Sequence, residues 1–493
     1  MISEERREDW RWGLVWAALA VVTLLALHRL RDFPVQPRFS DAWHGVSQVF
    51  PATAWAAVKV WSFWLIASSV LGGIALRLDN EIDPSDALLI GAGGAWAVAD
   101  VLGFTLGPIG LFNGITIWGL LLVGGAWLWR NPPRIRFSPP TPGQTLAIVA
   151  VALLAVSYFA LQLASPVPPF MDVLSYPSSV QRILTFGVYL PFDNDPYGCW
   201  GPWAQTPGLE LFYAMIGAST RTIAVLAETA AMLPMAALMI FASYRLGKAL
   251  FNDTVGGIAG LLLFFTCLFR RAQGMRGTAV DFALLALGLA FFLDRSRRRV
   301  FLGAGAAMLG AAFLSHAIDG GLAMIVAGAG VVMWLVEGDL RRFIAGVFAL
   351  AGATLLTLPE FAIALAHPVP SAFLAATVIA GFLVIAGAAW MLKPTSKTLN
   401  DTRLSVMNVA LLALFVSAAL YRHATQGYSI YANVADDLPF LFLLCFMGLV
   451  ISIQFSTDRP MLMRYTGLVA VALLLGVAGE YLDPIMRALS HTK

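Results

Sequence analysis

With 493 residues, a mean hydropathy of +0.76 and only 12% charged residues, the chain is too apolar for a water-soluble fold, where about a quarter of residues are charged. Its net charge of +3 comes from basic residues scattered in short clusters, which excludes a nucleic-acid-binding patch and nucleic acid as a partner. The three cysteines, Cys199, Cys267 and Cys445, offer neither a disulfide framework nor zinc-ligand spacing.

Crossing ~30 Å of hydrocarbon takes about 20 apolar residues, and the short alternating segments of a membrane barrel are absent. The fold class expected is therefore an all-α polytopic membrane protein of about 15 transmembrane helices. The charged head and apolar core of residues 1–33 lack a small-residue cleavage site and read as an uncleaved first span near 12–29. Further spans follow near 54–76, 87–106 and 112–129, then 145–163, 222–243, 255–269, 278–293, 300–316, 320–337, 343–366, 370–392, 404–420, 438–454 and 462–480. The first four form an N-terminal module, 1–136, and the proline-rich "WRNPPRIRFSPPTPGQ" is a stiff linker to a core spanning 137–493. With a cytoplasmic N-terminus, the inner segments hold most of the 32 lysines and arginines. Among these are Arg77, Arg130, Arg134, Arg245, Lys248 and the clusters "DRSRRR" and "DLRR", as the positive-inside rule requires.

The same topology puts the long polar stretch 164–221 outside. The ionisable groups within spans, Lys59, Asp100, Glu228, Asp281, His316 and Glu360, all fall toward the outer ends of their helices. A charge in hydrocarbon costs ~2.5 to 3.5 kcal/mol even on the lenient insertion scale, so together they indicate an outward-opening cavity. Taken singly, Lys59 can snorkel, and Asp281 and His316 can simply mark helix ends. In the polar stretch, "SYPSSVQRILTFGVYL" predicts an amphipathic surface helix over 177–186, with Pro177 in its first turn and Gly187 at its end. Asp172 precedes that helix at the mouth of the bundle, as an N-cap or a reactive carboxylate. "FDNDPYG" reads as a turn, with Asp193 and Asp195 as weak metal candidates.

On these residues the chain resembles the GT-C superfamily of integral membrane glycosyltransferases, which includes the protein O-mannosyltransferases and the lipid A aminoarabinose transferase. The matching positions are Asp172 opening the large outer loop, Tyr176, the helix 177–186, Gly187, "QTPGLELFYAMIG" with Pro207, and Asp281 at the outer start of "DFALLALGLAFFL". The resemblance covers roughly 145–340. It departs from the family in the four extra spans that precede the loop, which in the family follows the first span, and in the single acid at the loop's opening.

The resemblance implies a GT-C-like core in the inner (plasma) membrane, with the active site facing outside. It implies an inverting enzyme that takes a sugar from a polyprenyl-phosphate donor to a lipid or glycan acceptor. A carboxylate would deprotonate the acceptor hydroxyl, Asp172 being the first candidate and Asp281 the second. Tyr176 would bind substrate. Arg270, Arg271 and Arg276 of "FRRAQGMRG", with His316, Arg422 and His423, would meet the leaving phosphate, for which the arginine fork is suited. No cofactor is certain, and a divalent cation stays open. The alternative is a transporter or flippase of a lipid-linked or anionic solute, which predicts charges or broken helices near the midplane and repeated halves. An assembly subunit without chemistry would leave the outer stretch unexplained.

Overall fold

The computed structural model describes residues 39–135, 138–164, 172–187, 207–250, 252–263, 277–294, 296, 298–336, 338–365 and 371–392. The spans expected near 12–29, 404–420, 438–454 and 462–480 lie outside these residues.

Every described element is helical, and no strand occurs among the described residues. In chain order the helices are α1 Phe39–Leu78, α2 Pro84–Leu106, α3 Gly114–Arg130, α4 Pro142–Ala164, α5 Asp172–Phe186, α6 Pro207–Thr220 and α7 Ala224–Leu250. They continue with α8 Asp253–Leu263, α9 Gly277–Phe292, α10 Arg299–Ser315, α11 Ala317–Val336, α12 Leu340–Leu365 and α13 Ser371–Met391. Five segments, Ala54–Leu78, Pro84–Ile109, Ala224–Ala249, Leu340–Pro359 and Ala372–Met391, are long and apolar enough to cross a membrane. The described chain is thus all-helical, with five candidate membrane-spanning helices.

Local chemistry sets several boundaries. Asp83 caps α2 by accepting from the Ser85 N–H, with Pro84 at the first helical position. Asn113 caps α3 by accepting from the Thr116 N–H. Packing relies on small residues that let backbones approach, as expected where lipid supplies no hydrophobic drive between helices. A side chain at Gly91 of α2 would overlap the Ser68 carbonyl of α1, and one at Gly257 of α8 would meet the Gly143 backbone of α4.

Connections between helices at one end of the bundle are tied by charge. Arg245 of α7 is 3% exposed and bonds Asp86 of α2 at 2.7 Å and Asp294, after α9, at 2.6 Å. Its guanidinium also lies over the Phe291 and Phe301 rings. Arg342 donates to the Asp294 carbonyl, and Arg298 pairs with Asp79 and Glu81. Asp253 accepts from Thr141, Tyr244 and the Gly143 N–H, fixing the start of α4 against α7 and α8. Arg299 and Arg341 bond the last carbonyls of α13. Arg77 and Arg130 end α1 and α3 at this same end. The basic residues expected to share one side thus gather at one end of the bundle, here termed the arginine end. Arg245, expected on an inner segment, is at this end and is a buried structural cation.

Candidate functional site

The opposite end is organised around α6. Its 14 residues extend only ~21 Å, too short to cross a bilayer. Even so, Pro207 through Gly217 and Thr220 are all buried. Phe212 stacks on Trp96 of α2 at 4.4 Å and meets Trp64 of α1 edge-on at 5.3 Å. The Trp96 indole also donates to the Gly208 carbonyl at 3.2 Å, and Leu211 fills the space left by Gly103. The C-terminal carbonyls of α6 have no intrahelical donors; that of Gly217 accepts from the Thr222 N–H, and those of Ser219 and Thr220 are met from neighbouring helices. Trp118 of α3 donates to Ser219 O at 2.9 Å, and the Lys59 ammonium of α1 donates to Thr220 O at 3.0 Å and Arg221 O at 3.5 Å. Arg221 then leaves the helix with φ 51°, in the left-handed region. Lys59 is therefore a helix cap and not a snorkelling surface charge.

Helix α5 lies across α6 and the start of α7. Val180 and Ile183 are buried, whereas Gln181, Thr185 and Phe186 are exposed, which is the amphipathic pattern expected for a surface helix. The Gln181 side chain accepts from the Ala224 N–H at the head of α7, and Leu184 packs against Gly217. Gly187 ends the helix at φ 71°, as its sequence position predicts. The start differs from expectation. The helix begins at Asp172, five residues before Pro177, so Asp172 is its first residue and Pro177 lies inside it. Pro177 removes one backbone bond, to the Val173 carbonyl, and the helix tolerates that loss.

Three carboxyls are buried toward this end. Asp100 of α2 is 3% exposed, and both its oxygens are buried without a hydrogen-bond partner. It shares a helix face with Trp96 and Gly103, both of which touch α6. Glu228 of α7 is 2% exposed with its Oε1 unpartnered. Glu210, in the first turn of α6, is 7% exposed and bonds the Ser179 hydroxyl of α5, near Arg182. Burial pushes the Glu210 carboxyl up to about 8, against the opposing pull of Ser179 and Arg182. Sequence reasoning missed Glu210 because it treated 164–221 as an outer loop. The signal was one acid inside the apolar "LELFYAMIG", a run too short to be read as a span.

The expected site residues are distributed as follows. Asp172 and Tyr176 open α5, and Asp281 is the fifth residue of α9, at the end opposite Asp294. His316 terminates α10 in extended conformation, its N–H bonded to Ala312 O. The preceding Ser315 touches Gly208 of α6. Helix α5, which carries Asp172 and Tyr176, and helix α10, which His316 terminates, both pack on α6, whereas α9, which carries Asp281, packs on α7, α10 and α11. Arg270, Arg271, Arg276, Arg422, His423, Asp193 and Asp195 lie outside the described residues. Among the described residues, no group of three or more His, Cys, Asp or Glu side chains is arranged to hold a metal ion. A shallow apolar groove between α1 and α3, lined by Ser69, Val70, Leu128 and Trp129, lies toward the arginine end and away from these carboxyls.

No protein-family model matches the chain, and neither a curated protein nor a solved structure resembles it significantly.

Proposed function

We propose that the chain is an inverting membrane glycosyltransferase of the GT-C type. In this reading it carries a sugar from a polyprenyl-phosphate donor to a lipid or glycan acceptor on the outer face of the plasma membrane. The observation that supports it is the arrangement after α4: a helix opening with Asp172 is laid across a short, buried helix at the carboxyl-rich end of the bundle. The proposal extends to about 15 spans, a cytoplasmic N-terminus, and a four-span module at 1–136 preceding the core. Asp172 takes the acceptor's hydroxyl proton as the oxygen attacks the anomeric carbon, and the bond from that carbon to the phosphate oxygen breaks in the same displacement. One displacement with one base inverts the centre. Asp281 is the second candidate base, Tyr176 contacts substrate, and His316 with the arginines at 270, 271, 276 and 422 and His423 receives the phosphate.

The test is Asp172→Asn, which keeps the side-chain shape and the ability to accept a hydrogen bond but cannot take up a proton at neutral pH. Sugar transfer from a polyprenyl-phosphate donor in liposomes should fall ~10² or more with an unchanged thermal midpoint. Transfer at the parental rate would remove Asp172 from the chemistry.

A transporter or flippase of a lipid-linked or anionic solute is the second reading. It is favoured by Asp100, an unpartnered carboxyl within a span-length helix. It predicts solute movement across liposomes that the Asp172→Asn variant retains.

A further inference from the structure

The arginine end uses its basic residues in two ways. Arg245, Arg298, Arg299, Arg341 and Arg342 are all engaged by carboxylates or carbonyls of the bundle. Arg77 in the last turn of α1, Arg130 at the end of α3 and Arg134 just beyond it are exposed and, among the described residues, have neither an ion pair nor a hydrogen bond. The acids of the α1–α2 connection are already taken, since Asp79 and Glu81 pair with Arg298 and Asp83 caps α2.

These three cations flank one end of the apolar groove between α1 and α3. The two helices run parallel there, because a Cβ at Gly124 of α3 would meet Val70 of α1 and one at Gly73 of α1 would meet Leu128 of α3. Ser69 lines the groove, and Gly73 and Arg77 follow it at one-turn intervals on the same face, so Arg77 stands one turn beyond the contact with Leu128. On the other wall Trp129 precedes Arg130, the Asn131 side chain closes α3 on the Trp127 carbonyl, and Pro132 carries the lining to within two residues of Arg134. The groove holds about 510 Å³, within the ~300 to 1,000 Å³ range of ligand sites, and its lining is apolar apart from the Ser69 hydroxyl and the Trp129 indole. Two indoles mark its depth. Trp129 is 89% exposed and Trp390, near the end of α13, is 75% exposed, and both stand at the arginine end, as tryptophan does at the headgroup level of a bilayer.

We propose that this groove is a binding site for an anionic phospholipid, with one acyl chain lying between α1 and α3 and the phosphate held by Arg77, Arg130 and Arg134. Charge selects the occupant. Three arginines without protein partners suit a phosphate, whereas a zwitterionic headgroup brings a cation of its own that they repel. A second copy docked through the same face would set these arginines against their own like charges. The inference depends neither on sugar transfer nor on which side of the membrane the arginine end faces, and its test reads no activity.

The test is native mass spectrometry of the full chain, delipidated in detergent and titrated with phosphatidylglycerol or phosphatidylcholine. The parent should hold phosphatidylglycerol in preference to phosphatidylcholine, and the preference should fade as salt is raised. Arg77→Gln, Arg130→Gln and Arg134→Gln should each weaken phosphatidylglycerol binding about fivefold, and the triple variant by ~10², which brings it to the level of phosphatidylcholine. Because the three side chains are exposed and unpaired among the described residues, the thermal midpoint without lipid should stay at the parent's value. Gly125→Leu separates the chain from the headgroup. A Cβ at Gly125 meets nothing within 4 Å, so leucine fills the groove without pushing the helices apart. It should weaken phosphatidylglycerol binding about tenfold or more with all three arginines intact, the equivalent of about two methylenes of lost contact. Glycerol phosphate, which has the charge and no acyl chain, should not compete at the lipid's concentration. Equal binding of the two lipids by the parent, a triple variant that keeps the preference, a Gly125→Leu variant that binds as the parent does, or full displacement by glycerol phosphate would each overturn the site. A lipid-free dimer that Gly125→Leu dissociates would overturn it too, and give the groove to a second copy of the chain.

Discussion

Lys59 spends its charge on two carbonyls at the end of α6, a role that its residue type alone does not disclose. A lysine in an apolar run suggests either an interfacial side chain or a site. What decides between them is a helix terminus 161 residues away in sequence. Replacing Lys59 by methionine keeps the stem and removes the donor, leaving Thr220 and Arg221 oxygens to the dipole of α6 without their cation. The expected loss is about 1 to 2 kcal/mol, measurable as a lower thermal midpoint in detergent, and a midpoint equal to the parent's would refute the capping role. Glu210 teaches the converse lesson. Its neighbours in sequence are apolar and its partners, Ser179 and Arg182, come from another helix, so neither its burial nor its company was legible before the fold.

At the scale of elements, the apolar runs carried most of the information. Span α2 was expected at 87–106 and is found at 84–106, because hydrophobic length and an Asp-Pro start specify a helix before any tertiary contact forms. The surface helix was recognised from its amphipathic spacing and its terminal glycine, yet its start was misjudged by five residues. Proline's preference for the first turn is statistical, and Pro177 sits where the helix merely tolerates it. The seat of α6 was not legible, since a 14-residue apolar segment gives no sign of which helices will cover it. Interhelical distance was equally hidden, and it supplies a prediction. Gly91→Ala places a methyl group into the Ser68 carbonyl and should cost about 1 to 3 kcal/mol as α1 and α2 are pushed apart. Gly94→Ala in the same helix meets nothing and should be neutral or stabilise by up to ~1 kcal/mol. Paired thermal melts of the two variants make the comparison, and equal midpoints would contradict the close approach.

At the scale of the molecule, and among the described residues, the two ends use charge differently: one ties its acids to arginines in ion pairs, and the other holds Asp100 and one oxygen of Glu228 buried without a hydrogen-bond partner. Arg245 is the centre of the first. Arg245→Met strands Asp86 and Asp294 and should destabilise by about 3 to 5 kcal/mol. Arg298→Met, whose partners are partly or largely exposed, should cost ~1 kcal/mol or less. Chemical denaturation or melting in detergent separates these cases, and similar losses would mean that burial of Arg245 is energetically unimportant. Burial alone would raise the Asp294 carboxyl, but the Arg245 charge and the Ser296 bonds outweigh it and hold it below its usual value. Its share of stability is present above the ordinary carboxylate range and is lost as acid titrates it, so acid below about pH 4 should loosen this end of the bundle. The ion pair also imposes a schedule on biosynthesis. Asp86 is made 159 residues before Arg245, and at 5 to 20 residues per second that separation is roughly 8 to 30 s of translation. During that interval the helix bearing Asp86 must be kept at the membrane without its counter-charge, and the arginine made late fixes in place a helix made early.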